Sequence, residues 1–189
     1  MNLNLIFSIY GWAGILSAGA TILTFITGLH FFAVGKWFGK INDLSSVIQV
    51  LLMIPLIFFF HQLITPPSYA TRIISIVFGL GGVLVSVYGQ IRLLLNQIDF
   101  EGSPKYFPAG GVIGFWLIMV NLFSIGSRAL PNPLIWIGIA AGISYLLIVG
   151  GFLKGGQKDP LFYGGSLLLA ICYPVWGFWL GKMILASLA

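Results

Sequence analysis

Residues 41–67 read INDLSSVIQVLLMIPLIFFFHQLITPP, and this stretch decides the class of fold. Asn42 or Asp43 can cap a helix at its start, and Pro66-Pro67 cannot continue one. Between them lie ~20 residues without Lys, Arg, Asp or Glu, the length of a helix that crosses ~30 Å of hydrocarbon. The stretch therefore predicts a membrane-spanning helix.

The rest of the chain repeats this pattern. Of its 189 residues, 59% are hydrophobic and 7% are charged, whereas a soluble domain has roughly 25% charged residues. Apolar runs of ~20 residues form helices in lipid, because barrel strands are shorter and alternate in polarity. The sequence predicts an all-α, single-domain membrane protein, a bundle of six transmembrane helices arranged as three helical hairpins. The spans lie at about 5–32, 44–64, 73–95, 109–125, 134–153 and 161–185.

The distribution of basic residues predicts the orientation. Connectors one, three and five share one side of the membrane and carry more basic residues than the other side. The first side has Lys36, Lys40, Arg92, Lys105, Lys154 and Lys158, and the second has Arg72, Arg128 and Lys182. The positive-inside rule places these three connectors in the cytoplasm and both termini outside.

One group of polar residues lies at the cytoplasmic ends of the first three helices. Its members are His30, Asn42, Asp43, Gln49, Gln90 and Arg92. Ionisable groups near hydrocarbon usually pair or point into a wet cavity, so His30 with Asp43, or Asp43 with Arg92, can relay a proton or hold a lipid headgroup. The alternative is structural: Asp43 caps its helix, Arg92 extends to the interface and His30 is an interfacial hydrogen-bonding residue.

The two histidines lie near opposite membrane faces. His30 ends the first span and His61 ends the second, so they cannot jointly bind one haem iron. Either imidazole alone can ligate a haem or a chlorin pigment, since neutral imidazole is a common metal ligand. The alternative is that each is an ordinary polar residue at a helix end.

Other polar and helix-breaking residues lie deeper in the membrane. Asn121 and Tyr173 can line a ligand path or serve as hydrogen-bonded packing residues. Pro55 and Pro174 interrupt the second and sixth spans and should each free a carbonyl one turn earlier. Broken helices near the midplane mark transporter sites, although isolated proline kinks are also common in transmembrane helices.

Glycines spaced four apart lie on one face of a helix. Gly110 with Gly114, and Gly138 with Gly142, form such pairs, which permit close approach of a neighbouring helix or of a second copy of the chain.

Several chemistries are excluded by the motifs. Cys172 is the single cysteine, so there is no disulfide framework and no cysteine-rich metal site. The chain has no HExxH, P-loop or GxSxG motif. With four acidic residues, a carboxylate-rich metal site is not expected. The net charge of +5 does not predict nucleic-acid binding, which needs a clustered basic face in a soluble region.

Two stretches resemble known proteins: LPNPLIWIGIAAGISYLL at 130–147 and MIPLIFFFHQLITP at 53–66. In both, the chain resembles uncharacterised bacterial multi-spanning membrane proteins of the domain-of-unknown-function type, in which a short LP turn precedes an apolar WIGI–AG helix. The resemblance implies a bacterial inner-membrane location and no particular activity.

Three functional hypotheses follow. The first is an accessory or structural subunit of a larger membrane complex, or a lipid- or pigment-associated protein, with other subunits or a second copy as partners and a lipid, quinone or chlorin as the bound molecule. The second is a small transporter or channel with Gln49, Asn121 and Tyr173 as a polar lining. The third is a lipid-headgroup enzyme that uses His30, Asp43 and Arg92.

Overall fold

The computed structural model describes residues 3–34, 36–63, 69–98, 105–125 and 129–188. Within these ranges the chain is almost entirely helical and contains no strand. Its helices are α1 (Leu3–Val34), α2 (Lys36–Leu51), α3 (Met53–Leu63), α4 (Tyr69–Leu94), α5 (Phe107–Ser124), α6 (Asn132–Gly155) and α7 (Pro160–Ala186).

These helices make six spans, because α2 and α3 follow one another with only Leu52 between them. Five spans are long and apolar enough to cross a membrane, and α5 is a shorter apolar helix. At 1.5 Å per residue, the 18 residues of α5 extend for about 27 Å. The prediction of an all-α membrane protein with six helices is confirmed.

The spans form a closed ring. Each span packs against its neighbours in the sequence, and α7 packs against α1. The three predicted hairpins are present as adjacent pairs: α1 with α2 and α3, α4 with α5, and α6 with α7.

Glycines allow the closest helix contacts in this ring. A Cβ on Gly114 of α5 would lie 2.6 Å from the carbonyl oxygen of Gly142 on α6, and the reverse distance is also 2.6 Å. In the same way, a Cβ on Gly14 of α1 would lie 2.8 Å from the carbonyl oxygen of Gly177 on α7. Gly114 and Gly142 therefore serve packing within the chain, where the backbones need the room.

The two prolines within spans behave differently. Pro55 lies just after Leu52, where the helical segments α2 and α3 are divided. Proline has no N–H, so position 55 cannot donate the usual helical hydrogen bond to the carbonyl of Leu51. The division of the helix here is consistent with that loss. Pro174, in contrast, is buried inside α7, which continues through it as one helix. The sixth span is therefore not divided there, and the freed carbonyl one turn earlier stays a prediction.

Asn42 and Asp43 do not cap a helix, which corrects the prediction from the sequence. Helix α2 begins at Lys36, so both residues lie within it. No proline or other strong breaker occurs before Pro55, which lets the helix start early. The Asn42 amide Nδ2 instead donates to the carbonyl oxygen of Thr24 on α1, at 2.6 Å.

Asp159 caps α7. Its Oδ1 accepts a hydrogen bond from the N–H of Leu161 at 2.9 Å. Its ion pair with Lys154 is long, at 3.9 Å, and the lysine is exposed, so that pair contributes little.

Replacing Asp159 by alanine is expected to lower the free energy of unfolding by about 1 kcal/mol, because one N–H at the start of α7 loses its acceptor. Thermal unfolding in mild detergent measures the effect. Asp159→Asn is the control, since it keeps an acceptor oxygen and should restore most of the stability. Equal losses in the two variants would contradict the capping role.

Candidate functional site

A cavity of about 840 Å³ lies inside the ring, toward one end of the bundle. We call it the vestibule. Residues of every span line it, and several belong to helix ends near connectors one, three and five. The polar lining residues are Thr21, Thr24, Lys40, Asn42, Asp43, Ser46, Gln49, Ser86, Gln90, Asn96, Tyr106, Tyr145, Tyr163 and Ser166. Lys40 and Asn96 are exposed, so the vestibule opens at the end of the bundle that carries these connectors. We call this end the vestibule face.

A hydrogen-bonded pair forms the floor of the vestibule. The Gln49 amide Nε2 donates to the hydroxyl of Tyr145 at 2.7 Å, and both residues are buried. Beside them, the Tyr173 hydroxyl donates to Ser17 Oγ at 3.3 Å. The Tyr145 and Tyr173 rings meet edge to face with centroids 6.4 Å apart. Polar groups at this depth are thus mutually satisfied rather than left in hydrocarbon.

An aromatic layer closes the bundle beyond this floor. It consists of Phe60, Trp116, Tyr173 and Trp176, each at most 1% exposed. Phe60 stacks on Trp176, with centroids 5.8 Å apart, and meets the edge of Trp116 at 6.0 Å. Phe60 is eleven residues beyond Gln49 in the same span, or about 16 Å along the helix. Because these rings are buried and in contact, they pack across the middle of the bundle beyond the floor.

The vestibule brings together four of the residues selected from the sequence: Asn42, Asp43, Gln49 and Gln90. Asp43 is partly buried, and among the described side chains its carboxylate forms no ion pair within 4 Å. Gln90 lines the same cavity, and its Oε1 is buried without a hydrogen-bond partner. The wall formed by α2 and α4 therefore carries acceptor groups that the described protein atoms do not neutralise.

His30 and Arg92 lie at the same end of the bundle but do not line the vestibule. His30 is exposed, its Nδ1 is 2.8 Å from the carbonyl oxygen of Ile26, and its ring lies 5.3 Å from that of Phe38. Arg92 Nη1 donates to the Tyr106 hydroxyl at 2.6 Å. Within the described ranges neither residue forms an ion pair with Asp43. The geometry thus favours the interfacial interpretation of His30, while Arg92 is anchored to a tyrosine of the wall.

Asn121 lies in the aromatic half of the bundle. Its Oδ1 accepts from Trp176 Nε1 at 3.2 Å, and its Nδ2 donates to the carbonyl oxygen of Leu117 at 2.8 Å. With its side chain fully buried, Asn121 is a packing residue here, as is Tyr173 in the aromatic layer. Neither residue lines the vestibule.

His61 lies at the opposite face, away from His30. It lines a smaller cavity of about 350 Å³ with Tyr69 and Arg72, and its Nδ1 is buried without a partner among the residues described around it. No group of three His, Cys, Asp or Glu residues that could hold a metal occurs in the described part of the chain. Ligation of a haem or a chlorin by His30 or His61 stays a prediction.

Several lining residues were missed by reasoning from the sequence, namely Ser46, Ser86, Tyr106, Tyr145 and Ser166. Asn42, Ser46 and Gln49 are spaced four and three apart, which places them on one face of α2. That polar stripe within an otherwise apolar span was a detectable signal. Tyr145 lies beside Ser144, and Ser166 follows Tyr163 by three residues, so each carried only a weak signal within its apolar run.

Comparison with known proteins adds no relative. No protein-family model, no curated protein and no solved structure matches this chain.

Proposed function

We propose that this integral membrane protein is a small transporter that binds its ligand in the vestibule and is open here to one membrane face. The observation that carries this proposal is the cavity of about 840 Å³ lined by all six spans and closed at mid-bundle. A cavity of this size, mostly apolar with a few convergent polar groups, is typical of a small-molecule site.

The position of the closure also favours a transporter. In transporters the ligand site lies near the midplane, at discontinuous helices, and access alternates between the two faces. Here the Gln49–Tyr145 floor lies beside the division of α2 from α3 at Leu52. The break gives the second span a place to bend, because the proline at position 55 leaves the carbonyl of Leu51 without its usual donor.

The vestibule face is proposed to be cytoplasmic, in a bacterial inner membrane. Lys154 and Lys158 lie at this end of α6 and α7 and are exposed. Together with Lys40 they supply much of the basic charge that the positive-inside rule assigns to the cytoplasm.

The accessory-subunit hypothesis stays a prediction. Large apolar side chains are exposed around the outside of the ring, for example Trp12, Val77 and Trp136. Lipid alone would cover such residues, so their exposure does not select a protein partner.

Cysteine accessibility in membrane vesicles tests the proposed function. With Cys172 replaced by alanine, Ser46→Cys places a thiol in the vestibule wall and Lys158→Cys marks the vestibule face. A membrane-impermeant sulfonated maleimide is applied to right-side-out and inside-out vesicles. We expect both thiols to react from the cytoplasmic face only, since water fills a polar cavity that opens there.

Ser75→Cys is the buried control, because Ser75 is 4% exposed and accepts a hydrogen bond from Trp116 in the aromatic layer. It should react from neither face. A Ser46→Cys thiol that reacts from neither face would overturn the vestibule, and one that reacts from both faces would indicate a channel.

A further inference from the structure

The glycine-mediated contacts between α1 and α7 lie in the half of the bundle away from the vestibule face. The two helices run antiparallel, and glycines bring them together at Gly14 and Gly177. The Ser17–Tyr173 hydrogen bond is the last one that joins their described side chains in the direction of the vestibule face. Beyond it, residues 21–31 of α1 and 162–170 of α7 supply vestibule lining. Facing stretches of both helices therefore line the vestibule, and we call the space between these stretches the gap.

The border of this gap is apolar and exposed. Leu29 on α1 and Tyr163 and Leu167 on α7 line the vestibule, yet they are 53%, 53% and 56% exposed. These three side chains form an apolar border to the vestibule on its α1 and α7 side. Such a border suits an alkyl chain.

The opposite wall of the vestibule carries unsatisfied acceptors. The carboxylate of Asp43 has no ion pair among the described side chains, and Lys40, one turn away and also in the lining, is not within 4 Å of it. Gln90 on α4 adds an amide oxygen that lacks a donor. Two nearby donors make bonds elsewhere: one Asn42 amide N–H to Thr24 and one Arg92 guanidinium N–H to Tyr106. A partly buried carboxylate is best matched by a cation that donates hydrogen bonds.

We propose that the vestibule binds a single-chain amphiphile with a protonated amino headgroup, a long-chain amine, which enters sideways from the bilayer between α1 and α7. The ammonium group lies at Asp43, and the alkyl chain lies in the gap beside Leu29 and Leu167. This inference rests on the proposed function, because it needs an open vestibule.

Protection of Ser46→Cys from the sulfonated maleimide tests this ligand class in the full chain. The probes are dodecylamine and the uncharged dodecanol, added to vesicles that carry Ser46→Cys or the reference Lys158→Cys. We expect dodecylamine to slow the labelling of Ser46→Cys about tenfold at saturation, and dodecanol to do so only at about tenfold higher concentration. Labelling of Lys158→Cys reports the effect of surface charge alone and should change little.

Two substitutions separate recognition of the headgroup from access to the cavity. Asp43→Asn should raise the dodecylamine concentration for half protection about tenfold and leave that for dodecanol unchanged. Leu167→Trp should slow protection by both probes, because the indole fills the gap. Ile171→Trp is its matched control, one turn further on α7, exposed and outside the lining, and should have no effect.

The outcomes distinguish this proposal from the proposed function. Labelling of Ser46→Cys without any probe shows that the vestibule is open, and the same labelling in Asp43→Asn shows that this variant is folded. If the thiol is labelled but the two probes protect equally, or Asp43→Asn changes nothing, the amine proposal is overturned and the transporter proposal stands. If Leu167→Trp and Ile171→Trp behave alike, access between α1 and α7 is overturned.

Discussion

Gly142→Leu is expected to prevent accumulation of the folded protein. A Cβ at this position would lie 2.6 Å from the carbonyl oxygen of Gly114 and 3.0 Å from the backbone nitrogen of Ile118. Backbone atoms cannot turn aside as a side chain can, so α5 and α6 would have to separate. We expect a loss of about 3 kcal/mol or more in the free energy of unfolding, at the upper end of overpacking effects. Yield and monodispersity in mild detergent, followed by thermal unfolding, measure it.

Gly150→Leu is the matched control on the same helix. Gly150 is exposed, and a Cβ there meets nothing within 4 Å. The same substitution should be neutral or slightly stabilising, since leucine is the better helix former. Comparable losses at positions 142 and 150 would mean that the α5–α6 contact is not as close as described.

Phe60→Ala is expected to lower the free energy of unfolding by about 3–5 kcal/mol, the usual range for removing a buried phenylalanine. Phe60 is 0% exposed and touches both Trp116 and Trp176, so its removal leaves a cavity between two large rings that cannot both shift into it. Surviving protein should also show altered tryptophan fluorescence, because both indoles lose a neighbour.

Phe58 provides the comparison for that variant. It lies on the same helix but is 41% exposed on the outside of the ring. Phe58→Ala should cost less than about 1 kcal/mol in lipid or detergent, because the apolar solvent replaces the lost contacts. A Phe60→Ala variant as stable as Phe58→Ala would contradict the aromatic layer.

The sequence was sufficient to predict the number of spans and most of their extents. Long apolar runs can satisfy their backbone groups in lipid only as helices, so hydropathy alone located all six. The starts of spans were harder to place. Helix α2 begins at Lys36 rather than near Asn42, because a charged helical turn outside the hydrocarbon has no hydropathy signal.

The candidate site was predicted only in part. Asn42, Asp43, Gln49 and Gln90 were grouped correctly because they lie at matching depths of neighbouring spans. The partner of Gln49 was not foreseen, since Tyr145 lies 96 residues away in the sequence. Hydropathy predicts how deep a residue lies in the membrane, but not which side of its helix it is on. Which residues meet depends on that side and on the order in which the helices are arranged around the ring.

Contact between α1 and α7 also constrains how the protein is made. Helix α1 leaves the ribosome long before α7. Until α7 arrives, the face of α1 around Gly14 lacks its contact with Gly177. During that interval the hydroxyls of Ser17 and Thr21 have no need of a partner helix, because they bond carbonyl oxygens of α1 itself, at 3.0 and 2.9 Å. These two hydroxyls therefore stay satisfied until α7 has been made, and the contact that closes the ring can form only after that point.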